Sequence, residues 1–211
     1  MNRALIVCNG EISEYNFYKN LFKDSYIICA DGGTRHLKNF NLVPNMIIGD
    51  LDSISDEDLA FYRNKKIEIK KFKCEKDETD SHISLKVAIE KGFKDIYIIG
   101  ALGTRFDHSI ANIMLLEYAL EKNVLCKIID EKNEIQMIND SIKLEKENDC
   151  NISLVPLTDY VKGINSSGLY YPHKNMTIKR GETIGISNKF VSEQMNISIE
   201  SGILIVIKSR D

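Results

Sequence analysis

The chain has 211 residues and a formal net charge of −3, with 43% hydrophobic and 28% charged residues. This balance is typical of a globular protein with its own core, and the length suits one medium domain plus one small domain. The weak negative charge attracts neither nucleic acid nor anionic membranes. The apolar runs are too short for a signal peptide or a membrane span, so we expect a cytoplasmic protein.

Up to about residue 130, short apolar runs alternate with amphipathic segments. Runs rich in Ile and Val predict strands covered on both faces, at residues 4–8, 26–30, 46–48, 67–69, 96–99 and 124–129. Helix starts are indicated at Ser13, at Ser55, at Thr79, and at Asp107 or Ser109. Strand–helix–strand repetition favours right-handed crossovers. We therefore predict an α/β domain over residues 1–135, with a mostly parallel sheet and helices on both faces.

After about residue 140 the pattern changes to short alternating runs separated by turns. The runs at 152–155, 176–178, 194–199 and 203–207 predict strands, with turn residues such as Ser166-Ser-Gly and Glu200-Ser-Gly between them. We predict a small all-β sandwich over residues 136–211. The polar stretch 131–147 is predicted to join the two domains.

Unusual residues follow four consecutive predicted strands of the first domain. They are Asp31-Gly32-Gly33, Gly49-Asp50-Leu51-Asp52-Ser53, Lys76-Asp77-Glu78-Thr79-Asp80 and Gly100-Ala-Leu-Gly103-Thr-Arg105-Phe-Asp107-His108. Ligands of an open parallel sheet bind beyond the carboxyl ends of its strands. We therefore expect these segments to meet at one edge of the sheet and to form the site there.

Asp50 and Asp52 are the first candidates for metal ligands. In an extended segment residues i and i+2 face the same side, so both carboxylates would reach one divalent ion, and Mg²⁺ prefers carboxylate, water and phosphate oxygens. The alternative is a solvated Asp turn that follows a strand. Asp31, Asp80 and Asp107 at the same edge favour the metal site, because a cation relieves the repulsion among carboxylates.

The other residues of this edge also have a structural interpretation. Asp77 and Asp80 suit the start of a helix, and Gly100 and Gly103 suit a tight turn. In the functional interpretation the glycines admit a phosphate at a helix N-terminus and Arg105 is its partner. The spacing is neither that of a P-loop nor that of a dinucleotide fingerprint.

Three further residues are candidates with two interpretations each. His108 is either an acid or base or an ordinary hydrogen-bonded residue at a helix start. Tyr170 and Tyr171 either stack on a flat ligand or pack against the protein.

Taken together and in order, the motifs resemble those of the thiamine pyrophosphokinase family. The matching pieces are Ala30-Asp31-Gly32-Gly33, Gly49-Asp50-Leu51-Asp52-Ser53, Asp77-Glu78-Thr79-Asp80, Gly100-Ala-Leu-Gly103-Thr-Arg105-Phe-Asp107-His108, Gly168-Leu169-Tyr170-Tyr171-Pro172 and Gly185-Ile186-Ser187-Asn188. The resemblance implies transfer of a diphosphoryl group from Mg-ATP to the hydroxyethyl group of thiamine, giving thiamine diphosphate and AMP. It also implies a homodimer, with thiamine bound near the subunit interface.

The resemblance implies roles for individual residues. Asp50, Asp52 and Asp80 correspond to metal ligands and, with Asp107, to catalytic residues. The implied ATP-binding residues are Asp31, Gly32, Gly33, Asp77, Gly103 and Arg105, and the implied thiamine-binding residues are Asp107, Tyr171, Ser187 and Asn188. Animal and fungal members often have tryptophan near Tyr171, and either Tyr170 or Tyr171 supplies the aromatic face here. Lys76 stands where some relatives have glutamine.

Other functions on this fold remain open. A diphosphokinase for another hydroxymethyl acceptor, such as a pterin, would need a comparable nucleotide site but would have no reason for Gly185-Ile186-Ser187-Asn188. A non-catalytic sensor of thiamine or nucleotide would have little reason to keep all the acidic positions. A nicotinamide oxidoreductase is disfavoured because the dinucleotide fingerprint is missing.

Overall fold

The structure is a computed structural model that describes residues 2–52, 54–72 and 77–211. The chain divides into two compact units, the first ending at Glu131 and the second spanning residues 132–211. Within the described ranges, none of the helices combines the length and apolar character needed to span a bilayer.

The first unit is built on a parallel sheet. Its strands are β1 (Arg3–Val7), β2 (Ser25–Ala30), β3 (Met46–Gly49), β4 (Glu68–Lys71), β5 (Asp95–Ile99) and β6 (Leu125–Ile129). They lie in the order β6-β5-β1-β2-β3-β4, and each of these pairings is parallel. Because the order changes direction between β1 and β5, the loops that follow these two strands flank the crevice where such sheets bind ligands.

Helices cover both faces of this sheet. They are α1 (Tyr15–Phe22), α2 (Thr34–Phe40), α3 (Asp56–Asn64), α4 (Asp80–Glu90) and α5 (Phe106–Glu121). Side chains of α1, α2 and α3 share one buried cluster with Leu5, Val7 and Ile27 of the sheet. The intervening residues Ala4 and Ile6 are buried and point to the opposite face, and α4 lies against β1, β2 and β3. The predicted α/β fold is confirmed.

The second unit contains two antiparallel sheets. Its strands are β7 (Asn133–Ile138), β8 (Ser141–Glu145), β9 (Asn151–Pro156), β10 (Tyr160–Ser167), β11 (Met176–Lys179), β12 (Asn188–Lys189), β13 (Gln194–Ser198) and β14 (Leu204–Ser209). One sheet has the order β12-β9-β14-β7 and the other has the order β11-β10-β13-β8. Ile152 and Leu204 of the first sheet share a buried cluster with Val161 and Ile197 of the second. This confirms the predicted β-sandwich.

Two segments differ from the prediction in their secondary structure. The stretch 131–147, predicted as a polar junction, contains β7 and β8. Residues 135–138 of β7 are all buried, Gln136 among them, whereas in β8 exposed polar residues flank the buried Leu144. Helix α2 was not predicted. It follows a 3₁₀ turn at Asp31–Gly33 and buries Leu37, too short a stretch for a clear helical periodicity.

The helix starts were predicted with mixed success. Ser55 and Thr79 are confirmed as N-caps of α3 and α4, since their side chains accept hydrogen bonds from backbone N–H groups three residues later. Helix α5 begins at Phe106 with Arg105 at its N-cap, so the prediction of Asp107 or Ser109 was wrong. The Ser109 hydroxyl instead donates to the Gly103 and Arg105 carbonyl oxygens in the preceding turn.

Helix α1 begins in a way that no local pattern signals. Its N-cap is Glu14, and the backbone N–H groups of Ser13 and Glu14 both donate to the Glu131 carboxylate, at 2.7 and 2.8 Å. The acceptor is more than a hundred residues away in sequence. Ser13 therefore precedes the helix, as predicted, but a carboxylate brought in by the tertiary fold caps it.

Candidate active site

Three carboxylates converge beyond the ends of β2 and β3. Asp31, Asp50 and Asp52 each offer an oxygen, and these oxygens lie within 4.8 Å of one another. Asp31 and Asp50 are half-buried, while Asp52 is exposed. Such a set of hard oxygen donors fits a divalent cation of the Mg²⁺ class, whose remaining ligands are water and phosphate oxygens.

The pairing of β2 with β3 brings these carboxylates together. Ala30 lies opposite Ile48 in the parallel register, so the chain leaves both strands at the same level. Asp31 then packs over Gly49, where a Cβ atom would lie 2.7 Å from the Asp31 Cβ. Glycine at position 49 is therefore required for this approach. The Leu51 N–H donates to Asp31 Oδ1 at 3.2 Å and ties the two segments together.

The backbone between Asp50 and Asp52 is not extended, contrary to the reasoning from sequence. Leu51 has φ 70°, in the left-handed region that non-glycine residues rarely occupy. The Asp52 N–H donates to Asp50 Oδ1 at 3.2 Å, which closes a tight turn. The two carboxylates thus reach the same group through a turn, and the argument from alternation along a strand was wrong here.

A cavity of about 740 Å³ lies in the first unit at the crevice between β1 and β5. Of the predicted residues it is lined by Asp31, Gly32, Asp80, Gly103, Arg105 and His108. Gly33, Asp50, Asp52, Asp77 and Asp107 are not among the described residues that line it. Asp77 lies instead in a neighbouring groove with Glu78 and Lys86. Ser53 and Lys76 fall outside the described residues.

One wall of the cavity is held by a chain of buried hydrogen bonds that the sequence did not indicate. The Ser81 hydroxyl donates to Asn112 Oδ1 at 2.7 Å, and Asn112 Nδ2 donates to the Ala101 carbonyl oxygen at 2.7 Å. Thr79 Oγ1, at the N-cap of α4, lies 3.0 Å from Ser81 Oγ. This chain links the start of α4, next to Asp80, to the loop that follows β5.

The loop after β1 also lines the cavity and was missed as well. Gly10 N–H donates to the Gly100 carbonyl oxygen at 2.6 Å, and Arg35 Nη2 donates to the Asn9 carbonyl oxygen at 2.7 Å. Gly100 has φ 61°, and a Cβ there would lie 2.5 Å from the Cys8 carbonyl oxygen. A strand end that carries asparagine and glycine was the available signal, since ligands gather at such ends.

Arg105 and Asp107 form an ion pair at the start of α5. Arg105 Nε and Nη2 donate to the two carboxylate oxygens of Asp107, at 3.2 and 2.5 Å. Hydrogen bonding to Arg105 lowers the pKa of the exposed Asp107 carboxyl, which is therefore ionised at neutral pH. His108 Nε2 lies 4.0 Å from Asp107 Oδ2. Arg105 thus carries a guanidinium at the cavity rim with donor groups beyond those Asp107 takes.

The loop at Gly103 is also arranged differently from the expectation of free N–H groups for a phosphate. Gly103 N–H donates to the Ser109 hydroxyl at 3.1 Å. A Cβ at Gly103 would make only an ordinary contact, 3.4 Å from the Glu11 nitrogen. Glycine at 103 is therefore not demanded by space, and a ligand would have to replace the Ser109 contact to reach this N–H.

In the second unit, Tyr170 and Tyr171 form an exposed aromatic turn. The two residues are 63% and 67% exposed, and their rings pack edge to face, with centroids 4.8 Å apart. Ser187 is exposed and has φ 60°, and its N–H donates to Ser153 Oγ. Asn188 is buried, and its side chain bonds to the Tyr171 backbone.

Comparison with known proteins identifies two matching families along the chain. Residues 17–128 match the family described as "Thiamin pyrophosphokinase, catalytic domain", and residues 140–204 match the one described as "Thiamin pyrophosphokinase, vitamin B1 binding domain". The sequence is 34% identical over 186 residues to the thiamine pyrophosphokinase of Bacillus subtilis, covering 87% of each chain.

Solved structures agree with this match. The crystal structure of thiamine pyrophosphokinase from Bacillus subtilis superposes with a TM-score of 0.90 at 30% identity and covers 99% of both chains. The thiamin pyrophosphokinase from Geobacillus thermodenitrificans superposes with a TM-score of 0.87 at 28% identity, covering 99% of this chain and 98% of the other. Since the catalytic-domain match alone spans more than half of the sequence, the chain belongs to the thiamine pyrophosphokinase family, as its motifs predicted.

Proposed function

We propose that the protein is a thiamine pyrophosphokinase, which transfers a diphosphoryl group from Mg-ATP to the hydroxyethyl group of thiamine and releases AMP. The observation that carries this proposal is the convergence of Asp31, Asp50 and Asp52 at the sheet edge. Asp31 also lines a cavity of about 740 Å³, within the size range of small-molecule sites. Membership of the family supports the same activity.

Asp50 and Asp52, with Asp31, are the proposed ligands of the divalent cation. Mg²⁺ is the ion we propose, because the donors are carboxylate oxygens and the substrate brings phosphate oxygens. When bound, the ion supplies the positive charge that an acidic sheet edge needs to accept a polyphosphate. Asp80 lines the cavity at the start of α4, and we retain it as a proposed ligand of the metal or its water shell.

The first unit is proposed to bind ATP. Its cavity is lined by Arg35 and Arg105 together with the acidic residues Asp31 and Asp80. Guanidinium groups match phosphate oxygens in geometry, so these two residues are suited to hold the triphosphate. Gly32 also lines the cavity, and a Cβ there would lie 2.4 Å from Asn9 Nδ2, so glycine lets the Asn9 side chain approach this wall. Gly33 and Asp77, implied by the resemblance, stay predictions.

The second unit is proposed to supply the thiamine contacts. The exposed ring of Tyr171 offers a face for the flat cationic thiazolium, an interaction worth roughly 0.5 to 2 kcal/mol. The exposed Ser187 offers a hydroxyl to the pyrimidine. Asp107 is the proposed partner of thiamine in the first unit. We further propose a homodimer, which is supported by the exposed apolar side chains Ile184, Ile186 and Val191 in the second unit.

The proposed reaction is an in-line displacement at phosphorus. The hydroxyl oxygen of thiamine forms a bond to the β-phosphorus, the bond from that phosphorus to the α-phosphate oxygen breaks, and AMP leaves with the electron pair. The hydroxyl proton is released to water. Such transfers require mainly that the protein positions the reactants and neutralises charge, which is what the acidic and guanidinium side chains of the cavity would do.

The test is to incubate the protein with ATP, Mg²⁺ and thiamine and to quantify nucleotides and thiamine esters. We expect thiamine diphosphate and AMP in equal amounts, and neither product in the presence of a chelator. The Asp50→Asn variant serves as the low-activity control. Stoichiometric ADP would contradict this reaction. Transfer to a hydroxymethyl-pterin and not to thiamine would indicate the alternative diphosphokinase, and tight binding without turnover would indicate a sensor.

A further inference from the structure

Asn188 was expected from the family resemblance to contact thiamine, but its side chain is already engaged within the protein. It lies in β12 and is only 5% exposed. Its Oδ1 accepts from the Tyr171 N–H at 3.0 Å and from the Lys189 N–H at 2.9 Å. Its Nδ2 donates to the Tyr171 carbonyl oxygen at 2.7 Å. Both lone-pair directions of the amide oxygen are therefore occupied by backbone donors.

This pairing attaches the aromatic turn to β12. A carboxamide that bonds both the N–H and the C=O of one residue imitates the pairing of two strands. The neighbouring backbone bonds continue it, since the Tyr170 N–H donates to the Lys189 carbonyl oxygen at 2.9 Å and Leu169 bridges to Phe190. Tyr171 is the last residue held in this way, and the Asn188 side chain holds it.

We propose that Asn188 is a positioning residue for the Tyr171 ring and not itself a thiamine ligand. The Tyr171 ring is exposed, so packing does little to orient it, and the anchoring of its backbone becomes the main restraint. A ring held in place before binding loses less freedom when it stacks on a ligand, which strengthens binding. This role in thiamine binding rests on the proposed function, whereas the anchoring of the turn does not.

The anchoring is tested first without substrate. The chain contains no tryptophan, so a Tyr171→Trp variant carries a single fluorescent reporter on the turn. We expect Asn188→Ala in this background to lower the steady-state anisotropy and to increase quenching by acrylamide. Asn196→Ala, at an exposed asparagine of β13, is the matched control and should change neither. An unchanged signal in the Asn188 variant would overturn the proposal.

The consequence for binding is tested by a double-mutant cycle on the full-length protein. We expect Tyr171→Ala to raise the KM for thiamine by up to about thirtyfold, the equivalent of about 2 kcal/mol of stacking. Asn188→Ala should raise it by no more than that, with the KM for ATP unchanged. The double variant should match Tyr171→Ala alone, because Asn188 acts through Tyr171. Additive effects would show a direct contact and would overturn the proposal.

A conservative variant separates the anchoring from a simple loss of folding. Asn188→Asp keeps the shape and the acceptor oxygen but removes the donor that bonds the Tyr171 carbonyl. We expect it to mobilise the turn in the same direction as Asn188→Ala while circular dichroism reports a folded protein. If the wild-type protein transfers nothing to thiamine, the proposed function fails, and the fluorescence comparison alone decides the positioning role.

Discussion

Replacement of Asn112 by alanine tests whether the buried hydrogen-bond chain holds the cavity wall. Asn112 is 8% exposed, and its amide joins the Ser81 hydroxyl to the Ala101 carbonyl oxygen. In the variant the Ala101 carbonyl oxygen loses this donor, and the Ser81 hydroxyl keeps only its contact with Thr79 Oγ1. The loss of a buried hydrogen bond costs roughly 1 to 3 kcal/mol, and about 1 kcal/mol applies to each of these two bonds because the cavity admits water. After a gain of about 0.5 kcal/mol in helix propensity, we expect the free energy of unfolding to fall by about 1.5 kcal/mol.

Urea denaturation followed by circular dichroism measures this loss, with the slope of the unfolding free energy against urea unchanged. The matched control is Asn20→Ala, at an exposed asparagine of α1, which should stay within about 0.5 kcal/mol of the wild type. Ser81→Ala removes the hydrogen bond between Ser81 and Asn112 by deleting the donor hydroxyl. The double variant should therefore be less destabilised than the sum of the two single variants.

Asn112→Ala should also weaken ATP binding, because Ala101 belongs to the loop that lines the cavity. Isothermal titration with a non-hydrolysable ATP analogue measures this change. The reasoning is refuted if Asn112→Ala behaves like Asn20→Ala in stability, or if its effect adds fully to that of Ser81→Ala. Either result would mean that the two side chains do not depend on each other.

Three further predictions follow from the site and its supports. Asp50→Asn and Asp52→Asn should each lower kcat on the order of 100-fold with the circular dichroism unchanged, because the bound cation loses a charged ligand. Burial raises the pKa of Glu131, but hydrogen bonds from backbone N–H groups at the start of α1 outweigh this and lower it to about 2, from 4.5. The stabilisation that the ionised Glu131 carboxylate contributes is therefore present above pH 4.5 and is lost as the pH falls towards 2. Glu131→Gln should accordingly lower the free energy of unfolding by about 1 to 2 kcal/mol at neutral pH and leave it unchanged near pH 2. Gly100→Ala should lower the thermal midpoint far more than Gly92→Ala, because a Cβ at Gly100 would lie 2.5 Å from a backbone carbonyl oxygen whereas Gly92 faces open space.

Each of these three predictions has an outcome that would contradict it. Full activity in both Asp variants would remove these residues from the site. A Glu131→Gln effect that persists unchanged to low pH would mean that the carboxylate charge is not what stabilises the helix start. Equal effects of the two glycine variants would show that the left-handed backbone alone matters, since both glycines have positive φ.

The architecture of the first unit could be predicted from its sequence because its signals are local. Runs of Ile and Val mark strands that are buried on both faces, and Ser55 and Thr79 mark helix starts through bonds only three residues long. The prediction failed where the local sequence pattern was weak. In β7 and β8 polar residues such as Gln136 and Lys143 made the chain look like a junction, although Gln136 is buried. The start of α1 depends on Glu131, far along the chain.

The motifs by themselves determined the family, the fold class and which segments carry the chemistry, since these depend on residue types in order along the chain. Only the tertiary structure decided which of those residues meet. Asp31 joins Asp50 and Asp52 because β2 pairs with β3 in a register that places Ala30 opposite Ile48, and strand register is not written in either strand alone. Asn188 likewise became a buried anchor because the Tyr171 backbone lies against it, a contact between segments 17 residues apart that no local pattern encodes.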